Sequence, residues 1–230
     1  YLDAGYFEIG RTLIALGEDA RALENLNKVV KDYPGSSYVR RALVSIGQTH
    51  YNAGKDGDAK ATFQRIVKDY PTFEDSREAL IGLKNIYIDK GDAAGYDEYV
   101  NALGFVDFSD AARDSLYYEG AETQYFDGNC KESVEAFTKY LNRFEKALFK
   151  LNATYYRAEC LARMGQTDEA LKDFEFVADQ PKNKFTEVAV LQVARSAFAA
   201  DNYLGALAHY KRLSLIGEYK ENLLEAEIGQ

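Results

Sequence analysis

Small and apolar residues recur every three or four positions along most of this chain, in segments separated by short turns. This spacing places them on one face of a helix. The segments themselves recur, because a glycine marks the same turn every 37 residues, at Gly17, Gly54, Gly91, Gly128 and Gly165. An interval between about 20 and 50 residues is typical of proteins in which one supersecondary unit is stacked many times.

Each unit is predicted as two antiparallel helices joined by this turn. The first helix carries a small residue seven positions before the turn, such as Gly10 or Gly47, which lets a neighbouring helix come close. The second helix carries a small residue and a large apolar residue four positions apart, as in Ala59 and Phe63, so both lie on one face. In the sixth unit the pair Asp201-Asn202 stands at the turn, and Asn tolerates the left-handed backbone conformation.

Taken together, these positions resemble the tetratricopeptide repeat. The shared features are the small residue in the first helix, the glycine turn, the Ala and aromatic residue of the second helix, and a closing proline at Pro34 and Pro71. The resemblance covers essentially the whole chain and implies an all-α fold. In that fold, antiparallel helix hairpins stack into a right-handed superhelix, and the first helices line its concave face.

The predicted domain organisation is one solenoid over residues 1–230. It comprises six helix pairs and the start of a seventh, at approximately 3–34, 37–71, 75–104, 109–145, 147–181, 184–217 and 219–230. The third unit departs from the pattern, since it has Lys84 and Tyr96 at usually small positions and no closing proline. We therefore expect a bend or a subdomain boundary near 104–108. Because neither end resembles a polar cap, we also expect the chain to be part of a longer protein.

Two nearly identical runs, residues 28–34 and 65–71, are similar to bacterial cell-envelope members of the family. Those members are the periplasmic protein of the Tol–Pal system and the tetratricopeptide lipoprotein of the outer-membrane β-barrel assembly machine. The resemblance implies a bacterial source, an assembly role, and a location in the periplasm or elsewhere in the envelope. A cytoplasmic location is the alternative.

The chain is acidic, with 28 Lys and Arg against 37 Asp and Glu and a formal net charge of −9. Nucleic acids and anionic lipids both require clustered positive charge, and the basic residues here are scattered. No apolar run approaches the roughly 18 residues that a membrane span needs. We therefore predict no nucleic-acid partner and no membrane insertion by this segment.

Residues suited to catalysis or metal binding are sparse. His50 and His209 are the only histidines, and His50 fits a half-buried place in a helix better than a catalytic base. No phosphate-binding glycine loop, nucleophile motif or zinc motif occurs. We predict that the segment is not an enzyme and binds no cofactor or metal.

Cys130 and Cys160 are predicted on adjacent antiparallel helices, equally far from the joint near residue 145. Two residues at the same height of such a pair can form a disulfide if their Cα atoms lie within about 7 Å. Two unpaired, partly buried thiols are the alternative, and the sequence leaves both open. A disulfide would indicate an oxidising compartment.

One row of the first helices is polar in every unit, although it lies inside an apolar pattern. A polar row flanked by aromatic rows suits an extended peptide. The predicted partner-binding residues from these rows are Arg11, Gln48, Tyr51, Asn85, Tyr118, Glu122, Tyr125, Tyr155, Glu159 and Arg195. Five of them cluster in units four and five, where carboxylates and tyrosines favour a basic or aromatic-rich partner.

Other interpretations of these rows remain. A polar row can simply be the solvated face of a groove, without any ligand. Glu122 and Glu159 could form a metal or acid/base pair, but helices stacked about 10 Å apart argue against it. The leading hypothesis is a non-catalytic scaffold that binds a peptide or protein. The alternatives are a structural solenoid that self-associates through its exposed ends, and an accessory array of a larger protein with a catalytic domain elsewhere.

Overall fold

The computed structural model describes all 230 residues and contains thirteen α-helices and no strand. This confirms the predicted all-α fold. The helices are α1 (Leu2–Ala15), α2 (Asp19–Asp32), α3 (Tyr38–Asn52), α4 (Asp56–Asp69), α5 (Glu74–Asp89), α6 (Ala93–Leu103), α7 (Asp110–Phe126), α8 (Cys130–Arg143), α9 (Lys150–Arg163), α10 (Thr167–Ala178), α11 (Thr186–Ala199), α12 (Tyr203–Ile216) and α13 (Lys220–Ile228).

Consecutive helices pack as hairpins, α1 with α2 and so on to α11 with α12. Contacts between helices divide the chain into two compact units, residues 1–107 and 108–230. We call them the N-terminal unit, with α1 to α6, and the C-terminal unit, with α7 to α13. The boundary follows Asp107, just after the irregular third hairpin. Within each unit, neighbouring first helices also touch directly, such as α3 with α5 and α7 with α9.

The periodic glycines end the first helices in the left-handed conformation. All five have positive φ, between 67° and 79°, which a residue with a Cβ adopts only at a cost. In the sixth hairpin Asp201 takes this conformation with φ 57°. Asn202 instead caps α12, because its side chain accepts a hydrogen bond from the backbone N–H of Gly205 at 3.1 Å. The turn therefore comes one residue earlier than the 37-residue interval places it.

Helices approach closely where the first helix carries glycine. A Cβ on Gly47 would lie 2.6 Å from the ring of Phe63, and a Cβ on Gly10 would lie 2.7 Å from Leu26. Phe63 and Leu26 are both fully buried. In the third hairpin the close contact is made by Gly82, whose Cβ would lie 2.5 Å from the opposite edge of Phe63. Small residues in the first helices therefore let the large side chains of the second helices reach the backbone.

A buried polar network joins α7, α8 and the loop before α9 in the C-terminal unit. The Asp114 carboxylate accepts hydrogen bonds from the Tyr140 hydroxyl at 2.6 Å and from the Leu148 backbone N–H at 3.0 Å. The Tyr140 oxygen in turn accepts from the Phe149 N–H at 3.0 Å. Asp114 and Tyr140 are buried, and satisfying their polar atoms fixes the position of the α8–α9 loop.

Cys130 and Cys160 form a disulfide, which decides the question that the sequence left open. Cys130 begins α8, Cys160 lies near the end of α9, and their Cα atoms are 5.0 Å apart. The bond links two adjacent helices at the same height, as their predicted antiparallel arrangement requires. Disulfides persist mainly in oxidising compartments.

Candidate functional site

The predicted binding residues of the N-terminal unit lie on α1, α3 and α5 and make mainly local contacts. Arg11 forms an exposed ion pair with Glu8 at 3.8 Å. Gln48 is also exposed and donates a hydrogen bond to Asn52 at 2.8 Å. The remaining two, Tyr51 and Asn85, are half-buried. The Tyr51 hydroxyl donates to Asp89 of α5 at 2.6 Å, which raises the Tyr51 pKa to about 12. These residues bring no charged cluster together.

In the C-terminal unit, Tyr118 of α7 and Tyr155 of α9 lie in the core. Their exposed fractions are 6% and 7%. Each ring stacks on the phenylalanine that precedes the next first helix, Tyr118 on Phe149 at 4.4 Å and Tyr155 on Phe185 at 4.1 Å between centroids. One ring face of each tyrosine is therefore covered, which limits both rings as cation-binding platforms. The loops before α9 and α11, whose course could not be predicted from the sequence, place these phenylalanines.

Both tyrosines nevertheless position a glutamate. The Tyr118 hydroxyl donates to Glu122, and the Tyr155 hydroxyl donates to Glu159 at 2.8 Å, each across one helical turn. Tyr125 of α7 also donates to Glu159 and so links the two helices. We call these five residues the Tyr–Glu cluster. Since the hydroxyls come from largely buried rings, they fix both half-buried carboxylates in orientation.

The two glutamates of the cluster differ in the residue that lies one helical turn after each of them. Glu159 is followed by Arg163, whose guanidinium lies 3.5 Å from the carboxylate and 5.2 Å from the centroid of the Tyr125 ring. Glu122 is followed at the same spacing by Phe126, whose side chain is 69% exposed. One Glu122 oxygen accepts from Tyr118, and the other has no hydrogen-bond partner within the protein. The cluster thus holds one cation of its own and has a second carboxylate without one.

Burial is the main cause that raises the pKa of the three tyrosines in the Tyr–Glu cluster. Their hydrogen bonds to glutamate raise it further. The pKa of Tyr125 rises to about 12, and those of Tyr118 and Tyr155 rise further in the same direction. The neutral hydroxyl is favoured because a buried tyrosinate would be desolvated and would face a carboxylate. All three hydroxyls therefore remain donors throughout the neutral range.

We expect the C-terminal unit to lose stability as the pH rises from about 10 to 12. Unfolded tyrosine has a pKa of about 10, so above this pH the unfolded state binds fewer protons than the folded state, and the free energy of unfolding falls. Urea unfolding at several pH values, with tyrosinate absorbance followed in parallel, measures this loss. Tyr125→Phe should make the alkaline loss smaller. If Tyr125→Phe and the parent lost the same stability at alkaline pH, the raised pKa of Tyr125 would not be a cause of the loss.

Arg195, a predicted binding residue of α11, is exposed but already paired within the protein. Its guanidinium donates two hydrogen bonds to Glu225 of α13, both at 2.6 Å. The same helix α11 also supplies Glu187, a buried carboxylate that accepts from the backbone N–H groups of Glu218 and Tyr219, just before α13. Neither contact could be predicted from the sequence, because the partners of Arg195 and Glu187 lie 30 or more residues further along the chain. The ion pair between Arg195 and Glu225 therefore connects α13 to α11.

Other candidate chemistry is limited. No group of three His, Cys, Asp or Glu side chains is arranged to hold a metal ion. His50 is half-buried, as predicted, but its buried Nδ1 atom has no hydrogen-bond partner. None of the helices combines the length and the apolar character that crossing a membrane requires.

A sequence model of the tetratricopeptide repeat matches residues 4–36, 41–72 and 152–180. These three segments, less than half of the chain, correspond to the first, second and fifth hairpins. By sequence these three segments are similar to tetratricopeptide repeats. No curated protein matches the chain.

Solved structures with a similar arrangement of helices include three proteins of low identity. PilF of Pseudomonas aeruginosa is 12% identical, with 100% of this chain and 98% of that chain covered and a TM-score of 0.45. YrrB, a tetratricopeptide protein with an unusual peptide-binding site, is 16% identical with 88% and 97% covered and a TM-score of 0.44. PilW, a type IV pilus biogenesis factor, is 13% identical with 98% of both chains covered and a TM-score of 0.42.

Such likenesses concern the fold alone. Tetratricopeptide repeats are typical of non-catalytic scaffolds that bind peptides or proteins. The specific resemblance to the Tol–Pal protein and the outer-membrane assembly lipoprotein finds no support among these proteins.

Proposed function

We propose that this chain, three segments of which match the tetratricopeptide repeat, is a non-catalytic scaffold for a peptide or protein partner. The partner is held along the first helices of the C-terminal unit, at the Tyr–Glu cluster. The observation that carries the proposal is the half-buried carboxylate of Glu122. It is held by Tyr118, and one of its oxygens has no partner within the protein.

A basic side chain of the partner completes this arrangement. Glu159 shows which chemistry the cluster favours, since the guanidinium of Arg163 lies against both its carboxylate and the Tyr125 ring while remaining 54% exposed. Glu122 has the exposed ring of Phe126 where Glu159 has that arginine. A lysine or arginine of the partner would pair with Glu122 and lie against Phe126, because carboxylates and ring faces both attract cations. The net charge of −9 favours the approach of a basic partner.

An arrayed library of short fluorescent peptides, followed by calorimetry on the peptides that bind, tests the proposal. We expect bound peptides to be enriched in lysine and arginine. Glu122→Gln should then weaken their binding about tenfold, since it removes the charge from a hydrogen-bonded ion pair. Glu122→Gln retains the side-chain shape and an acceptor for Tyr118, so folding should be preserved.

Glu135→Gln is the matched control, because Glu135 is an exposed glutamate on α8, the second helix of the same hairpin. It changes the net charge equally and should leave affinity nearly unchanged. Equal losses in both variants would indicate a diffuse charge effect and would contradict binding at Glu122. Failure to bind any peptide would contradict the proposal as a whole.

We place this scaffold in an oxidising compartment, the bacterial periplasm or another part of the envelope. The support is the disulfide between Cys130 and Cys160, since such bonds are rare in reducing cytosol. The sequence resemblance of residues 28–34 and 65–71 is our reason for proposing a role in envelope assembly as well. Recovering the protein from cells with both cysteines reduced would favour the cytoplasmic alternative.

Self-association is a second candidate, favoured by apolar residues left exposed on terminal helices. Leu2, Ile9 and Leu16, seven positions apart, are exposed along α1 and its C-cap, and Leu224 and Ile228 are exposed on α13. Light scattering over a range of concentrations distinguishes the two functions. A monomer that binds basic peptides supports the scaffold. An oligomer that dissociates when Ile9 is changed to Glu, and that binds no peptide, supports self-association.

A further inference from the structure

At one position of the first helices, the side chain is small in the fifth hairpin and large in the other hairpins. The row that contains Tyr125 has a large side chain in the other hairpins, at Ile14, Tyr51, Ile88, Tyr125 and Phe198, but Ala162 in the fifth. In the structure, Ala162 is exposed and borders a cleft of about 230 Å³ between α9, α10 and α11. The missing side chain thus coincides with an open space on the same row of helices as the Tyr–Glu cluster.

The cleft is lined by both apolar and polar side chains. Leu171 and Phe174 of α10 line the apolar part, and Gln192 and Arg195 of α11 lie on the opposite side. Because Arg195 is already paired with Glu225, it leaves the cleft without a net positive charge. Small-molecule sites usually measure about 300–1,000 Å³, so this cleft is small for a whole ligand and of a suitable size for one side chain.

We infer that the Ala162 cleft binds one large apolar side chain, such as leucine or phenylalanine, of a peptide whose basic residue lies at Glu122. The inference rests on the proposed function and adds a second subsite to it. Glu122 and Ala162 are on α7 and α9, and packed helices lie about 8–10 Å apart. An extended peptide advances about 3.3 Å per residue, so the basic and apolar residues should stand about two to three positions apart. Charge complementarity at Glu122 brings the peptide to this face, and the cleft then selects its apolar residue.

The test compares two pools of fluorescent peptides that share one fixed lysine. The pools carry either leucine or alanine two or three positions from this lysine, with glycine and serine mixed elsewhere, and both orders along the peptide are made. The leucine pool should bind the parent protein about tenfold to a hundredfold more tightly than the alanine pool, as expected for burial of a leucine side chain. Equal affinities of the two pools would overturn the inference.

Ala162→Leu gives the reciprocal result, because it supplies the large side chain that other hairpins carry. The variant should reduce leucine-pool affinity to the alanine-pool level and leave alanine-pool affinity unchanged. Ala61→Leu, at an exposed alanine on α4 of the N-terminal unit, is the matched control and should change neither. Circular dichroism checks that both variants fold.

A second measurement separates failure of the cleft from failure of the proposed function. N-acetyl-leucinamide has no charge, so its binding does not depend on Glu122. Titrating it into protein with isotope-labelled alanine methyl groups should shift the resonances of Ala162 and Ala199, which both border the cleft. Shifts here without any peptide binding would support the cleft and contradict the scaffold. Peptide binding through lysine, with no shift and no preference for leucine, would support the scaffold and reject the cleft.

Discussion

Replacing Phe63 with alanine is expected to lower the free energy of unfolding of the N-terminal unit by about 3–5 kcal/mol. The side chain is 1% exposed and lies between Gly47 of α3 and Gly82 of α5, where its ring reaches both backbones. Removing it leaves a cavity that the two helices cannot readily close, because each would have to move towards the other. Denaturant unfolding followed by circular dichroism measures the loss.

Two glycine substitutions test the same contact from the other side. Gly47→Ala should cost about 1–3 kcal/mol, since its Cβ would lie 2.6 Å from the Phe63 ring. Gly57→Ala on α4 is the matched control, because no atom lies within 4 Å of its Cβ position. It should be neutral or slightly stabilising, as alanine favours a helix. A loss below about 1 kcal/mol in Phe63→Ala would show that the hairpins do not depend on this contact.

Removing the disulfide is expected to destabilise the C-terminal unit by about 3–4 kcal/mol. The bond closes a loop with a sequence separation of 30, and a cross-link of this length restricts the unfolded chain by about this amount. Cys130→Ala with Cys160→Ala, or a reducing agent added to the parent protein, should give similar losses in denaturant unfolding. Thiol titration of the unfolded protein establishes the redox state independently.

The double alanine variant also serves as the control for the reducing agent. Its stability should not respond to reductant, whereas that of the parent should fall. Two titratable thiols in freshly purified protein, together with a stability that ignores reductant, would contradict the bond. They would also remove the main structural support for an oxidising compartment. Peptide binding at Glu122 would remain testable, because neither Cys130 nor Cys160 belongs to the Tyr–Glu cluster.

Much of the fold was predictable because each hairpin repeats the same local rules. Gly54 and its periodic equivalents require a left-handed turn, and Gly47 permits a close contact that no larger residue would allow. The 37-residue interval predicted the wrong turn residue in the sixth hairpin. In the sixth hairpin Asp201 rather than Asn202 took the left-handed conformation, since Asn202 could cap α12.

The candidate site was less predictable, because its chemistry depends on which side chains meet across helices. The sequence identified Glu122 and Glu159 in one polar row. It could not show that Tyr125 donates to Glu159 from another helix, that Glu122 keeps one oxygen free, or that Arg195 pairs with Glu225 of α13. The Ala162 cleft likewise required the packing of α9, α10 and α11.

By itself, the sequence determined the helices, their turns and their order, since these depend on backbone conformation and on contacts three or four residues apart. Only the tertiary structure decided that Tyr125 donates to Glu159 from another helix, whether Cys130 bonds to Cys160, and which tyrosine rings are covered. These properties arise from contacts between residues about 30 or more positions apart. Their distances depend on how the hairpins pack, which no local pattern specifies.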